Sequence, residues 1–595
     1  MGLQQPEDQG KSREPTSAES IAVTDAAPAQ SEETVEDEDV EATEEVTEDV
    51  MSLQDALECE SGGSIPSNGG SISMSHGDMT REPVDYQEAS KTKHWQLAMD
   101  EEFRAHMENQ TWKLVDLPSG RKAIRCKWVY KTKLKADGRI ARHKARLVAK
   151  GFSQVAGIDY NETYSPVVRF ESMRTVMSIA AAEDMEITQF DVKTAFIKSE
   201  LDETIYMEQP EGYVAKGKED MVCLLQRAIY GLKQSSRVWN LKFTELLQEY
   251  QLEPTTADPC VFLRKVEPKI IITIFVDDGL VCCRDRKTIE DMMCYLNKRL
   301  EVTFGNAEYY VGLQIIRDRK ERSLCLSQTR YIQEVARRFG MIDSRPTSTP
   351  MDPNVHFGAI GDGEKERMQG VPYQEAIGSL MWAMMGTRFD IEYSMSMLAK
   401  YNSNPSHEHW LAVKRLIRYV NCTAKYVVRF GPVNSQHTLV WYCDSDYAAD
   451  VDTRRSRSGY VFMLNGGPIA WSSQRQPSVA TSTTEAEYIA SCTAAKELVW
   501  LQRLLAGIDF EQTSPTVLNI DNNGAIRLIH NPEFHKRTKH VGVQFHYVRE
   551  VQEAGELTPV YLSTTQQLAD ILTKALPADR FSRLRSQIGL NLLNT

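Results

Sequence analysis

The stretch Ile270-Ile271-Ile272-Thr273-Ile274-Phe275-Val276-Asp277-Asp278-Gly279-Leu280-Val281 decides how this chain is read. Seven residues, all β-branched or aromatic, run into two adjacent aspartates and a glycine, and a second apolar pair follows at once. The pattern predicts a β-hairpin whose acidic turn stands on two buried strands. Two like charges at a buried strand end repel each other and lose hydration. A divalent cation relieves both effects, because carboxylates are its natural hard ligands. An Asp-Gly hairpin turn with solvated carboxylates would give the same string. A third carboxylate in a comparable setting separates the two readings.

One is present. A helix is predicted over 170–182 and a strand over 187–192, and that strand, Thr188-Gln189-Phe190-Asp191-Val192, delivers Asp191 at the end of an apolar run. Two separate strands that each end in an acid can clamp a pair of cations between them. Taken alone, Asp191 also suits a helix N-cap before 192–197.

Composition bounds the rest. At 595 residues the chain has room for about three to four domains, and 41% hydrophobic content supplies their cores. Residues 1–80 hold 20 acids against two bases, Lys11 and Arg13. That is −18 on the segment, which leaves +4 on the remainder of a chain of formal charge −14. Such a segment cannot bury enough apolar surface to fold, so 1–80 reads as a disordered acidic linker or interaction arm. The mildly basic remainder permits a polyanionic partner. Eleven cysteines, scattered and without a CxxC pair, argue for reduced thiols and against a disulfide or zinc framework. No apolar run approaches membrane-spanning length and no secretory leader is recognisable, so no membrane partner is expected.

From residue 82 the chain reads as folded. The segment 94–115 suits a helix followed by an apolar stretch. A strand over 124–130, a turn at 136–138 and a strand over 143–151 interleave bases with apolar residues. That pattern suits either phosphate contacts or an ordinary solvated face. Helices are expected within 373–399 and over 409–419. The last of these carries Lys414, Arg415 and Arg418, which could follow a nucleic-acid backbone or simply face water. His407 and His409 suit capping at the start of that helix better than metal binding.

Five segments, KARLVAKGFSQVAGIDYNETYSPVVR (144–169), QFDVKTAFIKSEL (189–201), YMEQPEGY (206–213), AIYGLKQSSRVWN (228–240) and IFVDDGLV (274–281), resemble in order and spacing the reverse transcriptase of copia-type LTR retrotransposon Pol polyproteins. The resemblance runs from about residue 82 to about 590. It implies an α+β right-hand polymerase with palm, fingers and thumb. By that resemblance Asp191 is the palm motif A acid, and Asp277 and Asp278 are the motif C acids of a two-metal phosphoryl transfer. The cofactor implied is Mg²⁺, with Mn²⁺ as its substitute. Phe196 falls where the family places an aromatic beneath the sugar. Gly231, Lys233, Gln234 and Ser235 match the motif that supports template and nucleotide, and Lys144 and Arg146 are the candidates for triphosphate contacts. Two departures stand out. Phe275 replaces a tyrosine common among relatives, and Ser236 replaces a proline, which loosens that turn. Gly312-Leu313-Gln314-Ile315 resembles the primer-grip strand, and 326–437 resembles a thumb and connection.

The pattern changes at Thr438. A strand over 439–443 runs into Asp444, and strands over 458–464 and 468–473, a helix over 483–505, a strand over 517–520 and a late helix opened by Gln567-Leu568-Ala569-Asp570 follow. This order resembles an α/β RNase H-like domain, and Asp444, Glu485, Asp521 and Asp570 match its four metal-binding carboxylates. Glu485 and Asp570 each also suit a helix N-terminus. Gly542 stands where the family usually has Asp, and no histidine lies ten residues before Asp570.

The sequence reading is therefore four segments: a linker over 1–80, fingers and palm over 82–325, a thumb-like connection over 326–437 and an RNase H-like domain over 438–590. It implies an RNA-directed DNA polymerase with ribonuclease H activity, the C-terminal part of a copia-type polyprotein. The implied partners are an RNA template, a DNA primer, an RNA–DNA hybrid and deoxynucleoside triphosphates, in a cytoplasmic virus-like particle, the nucleus or both. The motifs specify no oligomeric state. The alternative is a decayed or domesticated element that binds nucleic acid without catalysis. A host polymerase or repair factor is disfavoured by the RNase H-like segment.

Overall fold

The computed structural model describes residues 81–134, 139–355, 357, 364–431, 437–530 and 543–593. The expected acidic linker over 1–80, the turn at 136–138 and Gly542 with the stretch before it lie outside these residues.

The hairpin forms as expected. Strand Ile270–Phe275 is buried along its whole length and returns through Val276 and Asp277 into strand Asp278–Cys283. The two occupy the middle of an antiparallel six-stranded sheet. Its order is Val302–Asn306, Glu186–Val192, Asp278–Cys283, Ile270–Phe275, Val261–Arg264, Glu253–Pro254. On one face Ile270, Ile272, Ile274 and Val281 pack with Trp239 and Phe243 of helix Ser235–Glu249 and with Met292 and Met293 of helix Arg286–Asn297. Helix Phe170–Ala182 covers the other face. Cover on both sides explains why the strand is a continuous apolar run and not an alternating one. Each fully buried Ile contributes about 1.5–3 kcal/mol.

Ahead of this sheet, the paired strands Cys126–Leu134 and Ile140–Ala149 pack on helix Lys93–Glu108. A small sheet of Trp112–Val115, Val222–Leu225 and Tyr206–Met207 lies alongside. Trp95, Met99, Trp112, Trp128 and Leu147 form their common core.

A five-stranded sheet follows, ordered Tyr309–Tyr310, Leu313–Asp318, Ser323–Ser327, Tyr426–Phe430, Leu590–Leu592. Segments far apart in sequence thus complete one sheet. Helices Thr329–Arg338, Tyr373–Gly386, Glu392–Ala399 and His407–Cys422 belong to the same region. The last opens with the expected cap: Ser406 N–H donates to His409 Nδ1 at 2.9 Å. Burial pushes the His409 imidazole down to about 4, which keeps that nitrogen an acceptor.

The final sheet is ordered Gly467–Arg475, Arg457–Leu464, Val440–Asp446, Thr516–Ile520, Leu557–Tyr561. Its first three strands are antiparallel and its last two run parallel to Val440–Asp446. Helix Thr483–Gly507 packs across it. The late helix begins at Asp570, not Gln567, and is a single turn, Asp570–Thr573, followed by Ala578–Ile588.

Helix Phe170–Ala182 joins the regions. Arg174 is buried, donates through Nε to the Ile469 carbonyl at 2.7 Å and through Nη1 to the Met385 carbonyl at 2.6 Å, and stacks on Trp471 at 3.8 Å. Nearby, Arg169 lies 4.0 Å over the Trp500 ring and 3.5 Å from Glu497, and the Trp500 indole donates to the Ala257 carbonyl. The ten cysteines among the described residues are free thiols, and no helix among them is long and apolar enough to cross a membrane.

Candidate active sites

Three aspartates occupy neighbouring backbone positions at the turn of the hairpin, their carboxylates less closely gathered than those of the second group below. In the ladder Asp278 pairs with Phe275 across the turn and with Asp191 on the other side. The Val192 N–H donates to the Asp277 carbonyl at 3.0 Å. Val276 has a φ of 57°, the left-handed region, which a β-branched residue rarely adopts. The Trp239 indole N–H holds the Val276 carbonyl at 2.7 Å from below. Gly279 is required for a different reason: a Cβ there would overlap the Phe190 ring. Gln189 donates to both oxygens of Asp278, at 2.9 and 3.1 Å. Burial, with the Asp191 and Asp277 carboxylates acting in the same direction, pushes the Asp278 carboxyl up to about 7. Asp191 is exposed, while Asp277 and Asp278 are half-buried. A buried carboxyl with two more carboxylates beside it is a setting that a divalent cation stabilises.

The residues expected around an incoming nucleotide divide into two groups. Lys144 and Arg146 are half-buried on strand Ile140–Ala149, and the Arg146 guanidinium lies 4.8 Å over the Tyr230 ring. Gly231 has a φ of 87° and crosses the 149–151 backbone so closely that a side chain on either Gly151 or Gly231 would strike the other strand. Lys233 is exposed and lies 5.1 Å over Tyr160. Gln234 and Ser235 are buried. Gln234 accepts from Gln154 at 3.1 Å and donates to the Asp159 carbonyl at 3.0 Å, and Ser235 donates to the Ile229 carbonyl at 2.6 Å. Their side chains brace the loop and leave Gly231 and Lys233 at its surface. Ser236 enters the first turn of helix Ser235–Glu249, buried. Phe196 is 7% exposed, in the core beside Ala228 and Trp239, with its ring edge-on to Tyr230 at 4.8 Å. That burial supports its reading as a core residue.

The second acid group is assembled differently from the expectation. Asp444, Glu487 and Asp521 each present an oxygen within 4.8 Å of the others. Glu485 is not among them. Its carboxylate accepts from the Thr481 N–H at 2.7 Å and the Thr481 hydroxyl at 2.6 Å, while its own N–H donates to the Ser482 hydroxyl at 3.2 Å. Glu485 is thus turned back over the helix start, where the macrodipole favours it. Two residues further on, Glu487 points at the sheet and accepts from the Ser445 N–H at 3.1 Å. Its other oxygen, Oε2, is buried with no hydrogen-bond partner. Burial, then Asp444 and Asp521, push the Glu487 carboxyl well above the usual range. Burial also pushes up Asp521, and Asp570 to about 6. Asp570 lies beside Asp444 but is held by Lys574 and Arg580. Gln567, fully buried, donates to the Cys443 carbonyl at 2.9 Å and fixes the approach to Asp570. An orphaned buried carboxylate oxygen among three convergent acids suits a divalent ion.

Comparison with known proteins places the chain. Residues 109–353 match the family described as reverse transcriptase (RNA-dependent DNA polymerase). Over 501 residues, 83% of the chain, it is 41% identical to the retrovirus-related Pol polyprotein from transposon TNT 1-94 of Nicotiana tabacum, of which it covers 38%. It is 35% identical over 512 residues to that from transposon RE1 of Arabidopsis thaliana, covering 86% of the chain and 34% of the relative. The chain belongs to the copia-type retrotransposon Pol polyproteins. This Pol chain spans little more than a third of the length of these relatives. Among solved structures it matches the N-terminal RNase H domain of a Mycobacterium tuberculosis protein fused to maltose-binding protein, with 12% identity, 25% of this chain and 96% of that one covered, and a TM-score of 0.17. At that score the comparison adds nothing to the strand order described above.

Proposed function

We propose that this Pol chain is an RNA-directed DNA polymerase joined to a ribonuclease H, in a right-hand arrangement with fingers and palm over 82–325, a connection over 326–437 and an RNase H-like domain over 438–590. The observation that carries the reading is the pair of acid groups: Asp191, Asp277 and Asp278 at neighbouring strand ends and the turn of one sheet, and Asp444 and Asp521 on two strands of another sheet joined by Glu487 from the helix packed across it. Asp191, Asp277 and Asp278 would hold the ions of synthesis, and Asp444, Glu487 and Asp521, with Asp570 at their side, those of cleavage. When bound, Mg²⁺ or Mn²⁺ supplies charge to the attacking and leaving oxygens of an in-line phosphoryl displacement.

The protein's own groups do the rest. Gln189 orients Asp278 and Trp239 fixes the turn that carries Asp277. Arg146, packed on Tyr230, and exposed Lys233 stand ready for the phosphates of an incoming deoxynucleoside triphosphate. Template RNA, DNA primer and their hybrid are the substrates, in a virus-like particle or the nucleus.

The test is primer extension on an RNA template and cleavage of the RNA strand of a hybrid, both with Mg²⁺ and the same purified chain. Asp277→Asn should abolish extension and spare cleavage, and Glu487→Gln should do the reverse. Loss of both activities in either folded variant would refute two separate centres. Hybrid binding with neither reaction in the unaltered chain would favour the non-catalytic alternative.

A further inference from the structure

Asp570 stands apart from the other acids of the second group because cations already hold it. The Lys574 ammonium lies 2.7 Å from Asp570 Oδ1 and 3.3 Å from Asp444 Oδ2. Arg580 donates to Asp570 Oδ2, and the Thr573 hydroxyl donates to Asp444 Oδ2. Asp446, half-buried on the same strand as Asp444, adds to the negative field around Lys574. Lys574 follows directly on the single helical turn Asp570–Thr573, which sets its backbone beside both carboxylates, while its side chain stays about a third exposed. One ammonium bridging two carboxylates does electrostatically what a bridging divalent ion does. Two cations cannot both sit within contact distance of the same pair of oxygens without strong repulsion.

We infer that Lys574 is a positioning residue that holds the Asp444–Asp570 half of this centre in the place of a second divalent ion, so that the protein without nucleic acid takes one ion there, on Asp444, Glu487 and Asp521. The inference rests on the proposed reading of the group as a metal centre. A lysine head on a flexible stem can leave for another anion. The phosphates of a bound hybrid are such an anion, so uptake of the second ion becomes linked to substrate.

Mn²⁺ titration of the full chain without nucleic acid, read by calorimetry, tests this. Lys574→Gln should bind one more Mn²⁺ per chain than the unaltered protein, or bind it roughly tenfold tighter. Adding Asp570→Asn should remove the gain, and Lys574→Arg, which keeps the cation, should behave as the unaltered chain. If Lys574→Gln does not fold by itself, Mn²⁺ should restore its cooperative thermal transition, and failure to restore it overturns the proposal. Unchanged stoichiometry and affinity in folded Lys574→Gln also overturns it, provided Asp444→Asn loses an ion. If Asp444→Asn loses none, it is the metal-centre reading that falls.

Discussion

Val276 holds a conformation that costs about 1–3 kcal/mol in a β-branched residue. The Trp239 N–H to its carbonyl and the Val192 N–H to the next one offset that cost, and together they aim Asp277. Trp239→Phe keeps the ring stacked on Phe243 but deletes the donor. The expected result is a rise in the Mg²⁺ concentration needed for half-maximal primer extension, by several-fold, with a loss of stability of about 2–4 kcal/mol from the hydrogen bond and the volume removed from a fully buried site. A variant that is merely less stable, with the same Mg²⁺ requirement, would show that the turn holds itself. Phe196 gives the opposite kind of prediction. Because its ring is in the core, Phe196→Val should cost about 2–3 kcal/mol in denaturant unfolding. The ratio of kcat/KM for ribonucleotide to deoxyribonucleotide should stay as it was, and a shift of that ratio toward ribonucleotides would return the ring to the sugar.

Helix Thr483–Gly507 shows how much of a site can be legible and where legibility stops. Ser482 with Glu485 three residues later has the spacing of a capping box, and Glu487 follows two residues on. Residues two apart on a helix face nearly opposite ways, so only one of Glu485 and Glu487 can meet the sheet. Periodicity does not decide between them: Glu487 heads a buried stripe with Ser491, Ala494, Leu498 and Leu501, and Glu485 heads another with Tyr488, Cys492, Ala495 and Val499. What separates the two is which way each carboxylate turns, toward Thr481 or toward Ser445, and that is not written in the residue types. The family motif drew attention to the wrong member of the pair. The strand-borne acids Asp191, Asp277, Asp278, Asp444 and Asp521 were easier, because each closes an apolar run. The two glutamates also predict opposite effects on folding. Glu485→Gln should cost about 1 kcal/mol through its cap, and Glu487→Gln should raise the thermal stability of the metal-free chain by removing a buried charge. Unfolding both variants in chelator checks the signs, and equal shifts would count against the two assignments.

The packing of the Gly467–Arg475 sheet onto helix Phe170–Ala182 was not legible, because its donors end on main-chain carbonyls some 200 to 300 residues away, which leave no trace in the side chains. Arg174 is buried at that junction, so Arg174→Met should cost about 3–5 kcal/mol by leaving those carbonyls unmatched and Glu171 with Arg169 as its remaining cation. Thermal unfolding with far- and near-ultraviolet probes would detect it, and a loss below 1 kcal/mol would mean the junction is held by apolar contacts alone. Glu392 lies in the same place and accepts from the Ser473 N–H at 3.3 Å. Burial pushes its carboxyl up to about 8. Between its ordinary 4.5 and about 8 the unfolded chain ionises Glu392 while the folded chain keeps the proton, so stability from this group falls as pH rises through that window and is flat beyond it. Glu392→Gln should therefore melt progressively higher than the unaltered chain from about pH 5 to about pH 8, with a constant gap above; a gap that does not vary with pH would show that Glu392 is ionised in the fold. A junction made of a buried guanidinium, stacked rings and main-chain carbonyls has little give. The two acid centres are then marks on a ruler. The length of hybrid between the growing primer end and the first cut in the RNA should be a constant counted in base pairs. It should not change when synthesis is slowed by scarce nucleotides.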